Sequence, residues 1–298
     1  MAACCNTGVQ NFVCGLRIFA MAGYTPRPPL IGLPHQLSVP HPVSVLAGLL
    51  LALSACICSA GPEGPLDLET FPGELVDEVV VPVPGEVLAN LAKLGETGWE
   101  VEQRPSSRPR FRDRVDYALA LGVAVADGFV AVQARDGKAV EQAGKAVLAR
   151  AEALGLRAAV TRHCQAIFES VEADDWMAVR RELDSTEATA RATMEKMGDA
   201  QLATCVSLGG WVRGTEVASE VIAKGYTSDK AELLNQPDLV KHFAESVAGI
   251  AGATSPSPKL VAVRRTLDEI AELMGEGAMP VPSDAVVKIN ESSREVVN

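Results

Sequence analysis

Three charged residues in apolar surroundings are the first candidates for chemistry. Arg213 and Glu216 stand three residues apart, on one face of a predicted helix, within the glycine-rich stretch 207–216. Asp127 lies in a separate predicted helix that is otherwise apolar on nearly every side. Because a buried charge must be paired, we predict that the three residues form an ion network where the two helices cross. The network either fixes the register of the helices or presents one guanidinium to an anionic ligand.

Few residue patterns suit catalysis or metal binding. After residue 60 only His163 and His242 remain, whereas hydrolytic and metal sites usually gather several such groups. His242 and Glu245 have the spacing of two ligands on one helical face, but a solvated surface pair is the simpler interpretation. Asp174 and Asp175 are interpreted as capping residues rather than as a cation site. We predict no catalytic residue, no metal site and no cofactor, which favours a protein that is not an enzyme.

Two cysteines fall inside predicted helices, at Cys164 and Cys205. In an oxidising compartment these two side chains could form a disulfide. The alternative is that each is a small buried apolar side chain, which is a common state for a free cysteine. No C-x-x-C pair occurs, so the sequence predicts neither a thioredoxin-like site nor an attached c-type haem.

A short apolar segment in the N-terminal region indicates export. Residues 43–55 are uncharged and mostly apolar, and at about 1.5 Å per residue they are too short to span a ~30 Å bilayer core comfortably. Their length is that of the apolar part of a signal peptide. The segment ends in L-S-A-C at residues 53–56, which resembles the lipobox of bacterial lipoproteins and implies lipidation of Cys56. Cleavage after Ala60, without a lipid, is the alternative.

Charge is distributed unevenly about this segment. The chain has 27 basic and 38 acidic residues, of which only Arg17 and Arg27 lie within residues 1–55. The remainder therefore carries 25 basic against 38 acidic residues, a net charge of −13. Phosphate backbones repel such a domain, so we predict no nucleic-acid partner. The expected location is the bacterial envelope, where the lipid anchor would hold the protein at a membrane surface in the periplasm.

Helical periodicity predicts the domain organisation of the chain after residue 55. Residues 56–110 are rich in proline and are predicted to be a tether with at most one short helix. Residues 111–250 are predicted to form an all-α core, built as an antiparallel bundle or as stacked helical hairpins. Residues 251–298 are predicted to add C-terminal helical structure that packs on the core. Within them, residues 260–274 carry an a/d seam suited to docking on the bundle or on a partner helix.

Three short motifs resemble those of uncharacterised, secreted, all-helical bacterial proteins. They are D-G-F at 127–129, D-W-x-x-V-R-x-E-L-D at 175–184 and S-L-G-G-W-x-R-G-T-E at 207–216. The resemblance implies a helical fold and no known activity. The sequence as a whole favours a non-enzymatic envelope protein that acts as a scaffold or binds a partner. A periplasmic domain that binds a small anion through Arg213 is the alternative, and an enzyme of unrecognised type is a second one.

Overall fold

Helices make up nearly all of the chain that the structure describes. The computed structural model describes residues 73–76, 79–82, 84–93, 98–104, 111–253 and 258–298. Its elements in chain order are β1 (Gly73–Val76), β2 (Val79–Pro82), α1 (Pro84–Lys93), α2 (Arg114–Gln133), α3 (Gly137–Ala153), α4 (Arg157–Glu172), α5 (Trp176–Lys196), α6 (Ala200–Lys224), α7 (Ser228–Ala231), α8 (Pro237–Ala253), α9 (Pro258–Met274) and α10 (Ser283–Val297), with 3-10 turns at Trp99–Glu102 and Glu232–Leu234. The predicted all-α class is confirmed, with one small hairpin added to it.

Helices α2 to α5 form a ring in which each helix packs on the next and α5 returns to α2. Helices α2 to α6 are joined by four turns of one geometry, in which a left-handed residue follows the helix end, at Arg135, Gly155, Asp174 and Gly198. At each turn the next amide donates to a carbonyl oxygen five residues earlier. This cap satisfies the last carbonyl groups of the helix and reverses the chain within a few residues. Consecutive helices are therefore antiparallel neighbours.

Aspartates that follow these turns begin two of the helices. The carboxylate of Asp136 accepts from the amide of Ala139, and that of Asp175 accepts from the amide of Ala178. Each thereby satisfies one of the free N–H groups of the first helical turn. Asp174 is the left-handed residue of the turn and Asp175 is the N-cap, so both aspartates have a structural role at the start of α5.

Helices α2 and α6 cross so closely that glycine is required on both. A Cβ atom added at Gly122 would lie 1.9 Å from the carbonyl oxygen of Val206. One added at Gly209 would lie 2.0 Å from the carbonyl oxygen of Leu119. Only a residue without a side chain lets the two backbones approach this far. The crossing brings the central helix α6, which is buried along most of its length, against the apolar helix α2.

A second group of helices packs on the other side of α6. Helix α10 contacts α6 and α9, and α9 contacts α8. The seam of residues 260–274 lies inside this group, with no member more than 5% exposed: Leu260, Val263, Leu267, Ile270 and Met274. The seam therefore docks on helices of its own chain.

The segment predicted to be a tether contains more structure than expected. Strands β1 and β2 form an antiparallel hairpin that pairs Gly73 with Pro82. Helix α1 packs on α2 and α6, with Leu88 and Leu91 fully buried, and the 3-10 turn at Trp99–Glu102 packs on α2. Strands of four residues are too short to produce a clear alternating pattern, which is why the hairpin was not predicted.

The signal segment, Cys56 and Ala60 lie outside the described residues, so their predictions stay predictions. Among the described residues, α2 is the one helix long and apolar enough to cross a membrane. Most of its apolar stretch is buried inside the protein, and Asp127 within it forms ion pairs with Arg104 and Arg213. A helix buried in this way is a core helix of the fold.

Candidate functional site

The three residues predicted to form an ion network meet where α2 crosses α6. Nε of Arg213 donates to Oδ1 of Asp127 over 2.8 Å, and Nη1 donates to Oε2 of Glu216 over 2.9 Å. Nη2 donates to the backbone carbonyl of Glu102 over 2.5 Å. Arg213 is only 2% exposed, and each of its guanidinium nitrogens is bonded to a protein oxygen. This geometry supports the first of the two roles predicted for the network, which is to fix helix register.

A second arginine extends the network. Nη2 of Arg104 donates to Oδ2 of Asp127 over 2.9 Å, so one carboxylate is divided between two guanidinium groups. Arg104 also donates to the carbonyl of Val297 at the end of α10. The sequence did not single out Arg104, because it lies among prolines in a stretch interpreted as a tether. In the structure it connects the buried network to an adjacent cavity.

This cavity, which we call the main cavity, has a volume of about 580 Å³. That volume is within the range of sites for small molecules. Residues of α2, α3, α6, α9 and α10 line it together with the stretches that precede α2 and follow the first 3-10 turn. Its polar residues are Arg104, Arg112, Asp116, Arg150, Lys259 and Asn298. Its other residues are Phe111, Leu119, Ala120, Val123, Gly209, Val212, Pro258, Ala262, Val296 and Val297.

The wall of the main cavity is positively charged although the chain carries a net charge of −11. Four of its side chains are cationic and one, Asp116, is acidic. Burial lowers the pKa of Lys259; Asp116 opposes this effect and Arg104 adds to it. Burial also lowers the pKa of Arg150, with Asp127 opposing and Arg104 adding to the effect. Cations that are desolvated and repel one another in this way would be stabilised by a bound anion.

A smaller cavity of about 270 Å³ shares Arg104, Arg150 and Asn298 with the main cavity. Two side-chain nitrogens from its lining residues, Nε of Arg150 and Nε2 of Gln103, are buried without a hydrogen-bond partner among the described residues. The guanidinium of Arg150 also lies 5.4 Å from the centroid of the Phe111 ring, a cation–π distance. Unsatisfied buried donors are uncommon in proteins, and here they lie beside the shared wall of two cavities.

The disulfide considered between Cys164 and Cys205 is not present; both are free and buried. Cys164 belongs to α4, which packs on α3 and α5, whereas Cys205 belongs to α6, which packs on α2, α5 and α10. The two helices share only α5 as a neighbour among those named, both thiols are free, and the alternative of two small buried side chains describes the structure. Burial raises the pKa of Cys164 to about 11 and that of Cys205 to about 12.

Both thiols are therefore expected to be inert near neutral pH and to make folding sensitive to alkali. An exposed thiol titrates near pH 8.5, so the stabilisation from a raised pKa is complete below about pH 8.5 and is lost as the pH rises towards 11. We expect the free energy of unfolding to fall across this window. The loss should be smaller in a Cys164→Ala/Cys205→Ala variant measured by urea unfolding at each pH.

Thiol labelling at pH 8, followed by peptide mass analysis, tests the same feature directly. The peptides that contain Cys164 and Cys205 should label only as fast as the protein unfolds, because the reactive thiolate is scarce and buried. Rapid labelling of either peptide in the folded protein would contradict the burial described above.

His163 lies in a hydrogen-bonded chain that the sequence did not reveal. Its Nδ1 is 2.8 Å from Oε2 of Glu182, and its Nε2 is 3.0 Å from Oγ1 of Thr189. A hydroxyl, an imidazole and a carboxylate in this order also occur in nucleophilic triads. Thr189, however, lies inside α5, where neighbouring amides are already bonded within the helix and cannot stabilise an oxyanion. The chain of bonds therefore serves to join α4 to α5.

His242 and Glu245, which have the spacing of two metal ligands, are not part of a metal site among the described residues. The ring of His242 packs against Phe243 with centroids 5.7 Å apart, and Glu245 is exposed. Within the described ranges, no group of three or more histidine, cysteine or acidic side chains is placed to hold a metal ion. Glu245 is solvated as predicted, whereas His242 is only partly exposed and its Nε2 is buried without a hydrogen-bond partner among the described residues, so the two do not form the solvated pair that the sequence predicted.

No family model, curated protein or solved structure matches this chain. The resemblance of the three motifs to secreted helical proteins therefore stays a prediction. The chemistry of the main cavity is the ground on which a function can be assigned.

Proposed function

We propose that this chain is an exported, non-enzymatic helical protein that binds a small anionic solute in the main cavity. The observation that carries the proposal is the positive wall of that cavity in an otherwise acidic protein. Charged residues are normally scattered over a protein surface, where water solvates them. Arg104 is paired with Asp127 and Arg112 is exposed. Arg150 and Lys259, however, are partly buried without an ion pair among the described residues, and a bound anion would supply their counter-charge.

The same wall argues against catalysis. General acid–base or nucleophilic chemistry needs a titratable group or a nucleophile within reach of the bound molecule. The titratable side chains that line the main cavity are Asp116 and the cations, of which Lys259 already donates to the carbonyl of Val296, and the lining includes no histidine, serine, threonine or cysteine. The arrangement suits the binding of a solute better than its conversion.

The solute-binding alternative drawn from the sequence assigned the anion to Arg213. In the structure Arg213 is bonded to Asp127, Glu216 and the carbonyl of Glu102. We therefore assign the contact with the anion to the cations of the main cavity and a positioning role to Arg213. By occupying one oxygen of Asp127, Arg213 leaves Arg104 with only part of a counter-charge.

Thermal unfolding of the full chain with a panel of anions tests the proposal. Benzoate and phosphate are expected to raise Tm, whereas benzylamine should not. A ligand at 100 times its Kd adds about 2.7 kcal/mol of stability. Each kcal/mol raises Tm by roughly 2–4 °C in a domain of this size.

Two variants show whether the anion uses the main cavity. Arg150→Met/Lys259→Met should lose the rise in Tm, because it removes two of the four cations. Lys145→Met should retain it, because Lys145 is an exposed cation that pairs with Glu141 outside the cavity. An equal rise in the double variant, or no rise with any anion, would contradict the proposal.

Export and the membrane anchor belong to the proposal as well. They rest on the apolar residues 43–55 and the motif that ends at Cys56. Intact-mass analysis of the membrane fraction from a bacterial host should find an acylated chain beginning at Cys56. An unmodified chain beginning at Gly61 would leave an exported protein without an anchor, and a chain that retains Met1 would exclude export.

A scaffold role has less support than solute binding. The sequence suggested it through the seam of residues 260–274, and that seam is buried against α8 and α10. A partner that contacts α9 would have to use its outward face, where Val261 is an exposed apolar residue.

A further inference from the structure

We infer that the solute is an amphipathic anion, with one acidic head group and a single apolar chain or ring. The inference rests on the proposed function and narrows its ligand class. It is drawn from the separation of charge and apolar surface within the main cavity and from the second cavity beside it. A free carboxylate of this type is the ligand we expect, rather than a lipid embedded in a bilayer.

The apolar part of the wall favours an anion that carries an apolar chain or ring over a hydrophilic anion. Leu119, Val123 and Val212 come from the two helices that cross at the glycines, and Ala262 and Val297 come from α9 and α10. A phosphate ion in this cavity would leave these side chains against water. An apolar chain would remove their surface from water, which is favourable in proportion to the area covered.

The head group belongs at the wall that the two cavities share. Arg104 and Arg150 line both cavities, so these two residues lie at the boundary between them. Nε of Arg150 and Nε2 of Gln103 are donors without a partner among the described residues near this boundary. A carboxylate pairs well with guanidinium groups, because its two oxygens match their N–H geometry. Lys259, whose amine also donates to the carbonyl of Val296, is a further cation of the main cavity.

Cations outnumber acids around this head-group site, which makes the site selective for an anion. Asp127 is the acidic residue that lines the smaller cavity, and it already accepts from both Arg104 and Arg213. Counted over both cavities, the side chains comprise the four cations and two acids, Asp116 and Asp127. A ligand with one negative charge reduces this excess, whereas a cationic amphiphile increases it and should be rejected.

Isothermal titration of the full chain with straight-chain carboxylates of two to twelve carbons tests the inference. Affinity should rise roughly fourfold for each CH₂ added, the equivalent of about 0.8 kcal/mol, until the main cavity is full. The 1-alkanols and alkyltrimethylammonium ions of matching length should bind at least tenfold more weakly, because they lack the acidic head group.

Substitutions in the cavity wall test the contribution of the apolar chain and that of the acidic head group separately. Val123→Phe should shorten the chain length at which affinity stops rising and should leave acetate and butyrate binding unchanged. Val261→Phe is its matched control, because Val261 lies on the exposed face of α9 and should leave the whole series unchanged. Arg150→Met should weaken every carboxylate by tenfold or more, whereas Lys145→Met should weaken none.

The outcomes distinguish this inference from the proposed function. Short anions that bind without any dependence on chain length would overturn the amphipathic ligand and leave anion binding intact. Alkanols that bind as tightly as carboxylates would also overturn the inference, because the cations would then contribute nothing. Binding to anionic phospholipid vesicles without binding to free carboxylates would overturn it as well. A protein that binds no anion at all would contradict both this inference and the proposed function.

Discussion

Gly122→Ala and Gly209→Ala are each expected to destabilise the fold severely. The added Cβ atom would lie 1.9 Å from the carbonyl oxygen of Val206 in the first variant and 2.0 Å from that of Leu119 in the second. Both obstacles are backbone atoms of a packed helix, so no side-chain rotation relieves the overlap, and α2 and α6 must separate. Overpacking usually costs 1–3 kcal/mol, and we expect about 3 kcal/mol or more here.

Urea unfolding followed by circular dichroism measures this effect. Gly249→Ala is the matched control, because Gly249 is also inside a helix but has open space where its Cβ atom would be. It should stabilise the protein by up to about 1 kcal/mol, which is the helix-propensity advantage of alanine over glycine. A Gly122→Ala protein with an unchanged unfolding midpoint would show that the two helices do not cross as closely as described.

The glycine crossing is a feature that the sequence could indicate. Three glycines inside a predicted helix are unfavourable unless backbones must come close, and Gly122 lies in the apolar helix opposite them. The ion network was predictable for a related reason, since Asp127 in an apolar helix requires a partner. Helix positions followed from the 3.6-residue pattern of apolar side chains, as they did for the seam of residues 260–274.

The repeated turns between helices were harder to predict. Their left-handed residue is a glycine in two cases, Gly155 and Gly198, and Arg135 or Asp174 in the others. The geometry is set by the backbone bonds of the helix end, which different residue types can satisfy. A search for repeated residues therefore misses a repeat that exists only in the backbone.

The cavity could not be predicted, because its wall is assembled from distant parts of the chain. Arg104 precedes α2, Arg150 lies in the last turn of α3 and Lys259 lies in the first turn of α9. In the sequence each looks like an ordinary surface cation. Their convergence depends on how α3, α9 and α10 pack around α2 and α6. Charge at a site of this kind is a property of the tertiary fold, whereas the pairing of a buried charge is already implied by its local sequence.

Arg213→Met is expected to have the other large effect on stability. Arg213 supplies the ion pairs of Nε with Asp127 and of Nη1 with Glu216, and Glu216 is only 4% exposed. Removing the guanidinium leaves Glu216 with Arg294 alone, at 3.4 Å, and leaves the carbonyl of Glu102 without its donor. Breaking a buried ion pair from one side typically costs 3–5 kcal/mol, so we expect a loss of about that size in the free energy of unfolding.

Two further variants determine whether this loss comes from the unpaired charge. Arg213→Met/Glu216→Gln should be more stable than Arg213→Met, because the second change removes the buried charge that the first has left unpaired. Arg157→Met removes an exposed ion pair with Glu152 and should change stability by less than about 1 kcal/mol. If Arg213→Met unfolded at the same urea concentration as the unmodified protein, the network would not fix the register of α2 and α6. The cations of the main cavity would then lack the rigid frame that holds them together, since Asp127 joins Arg213 to Arg104.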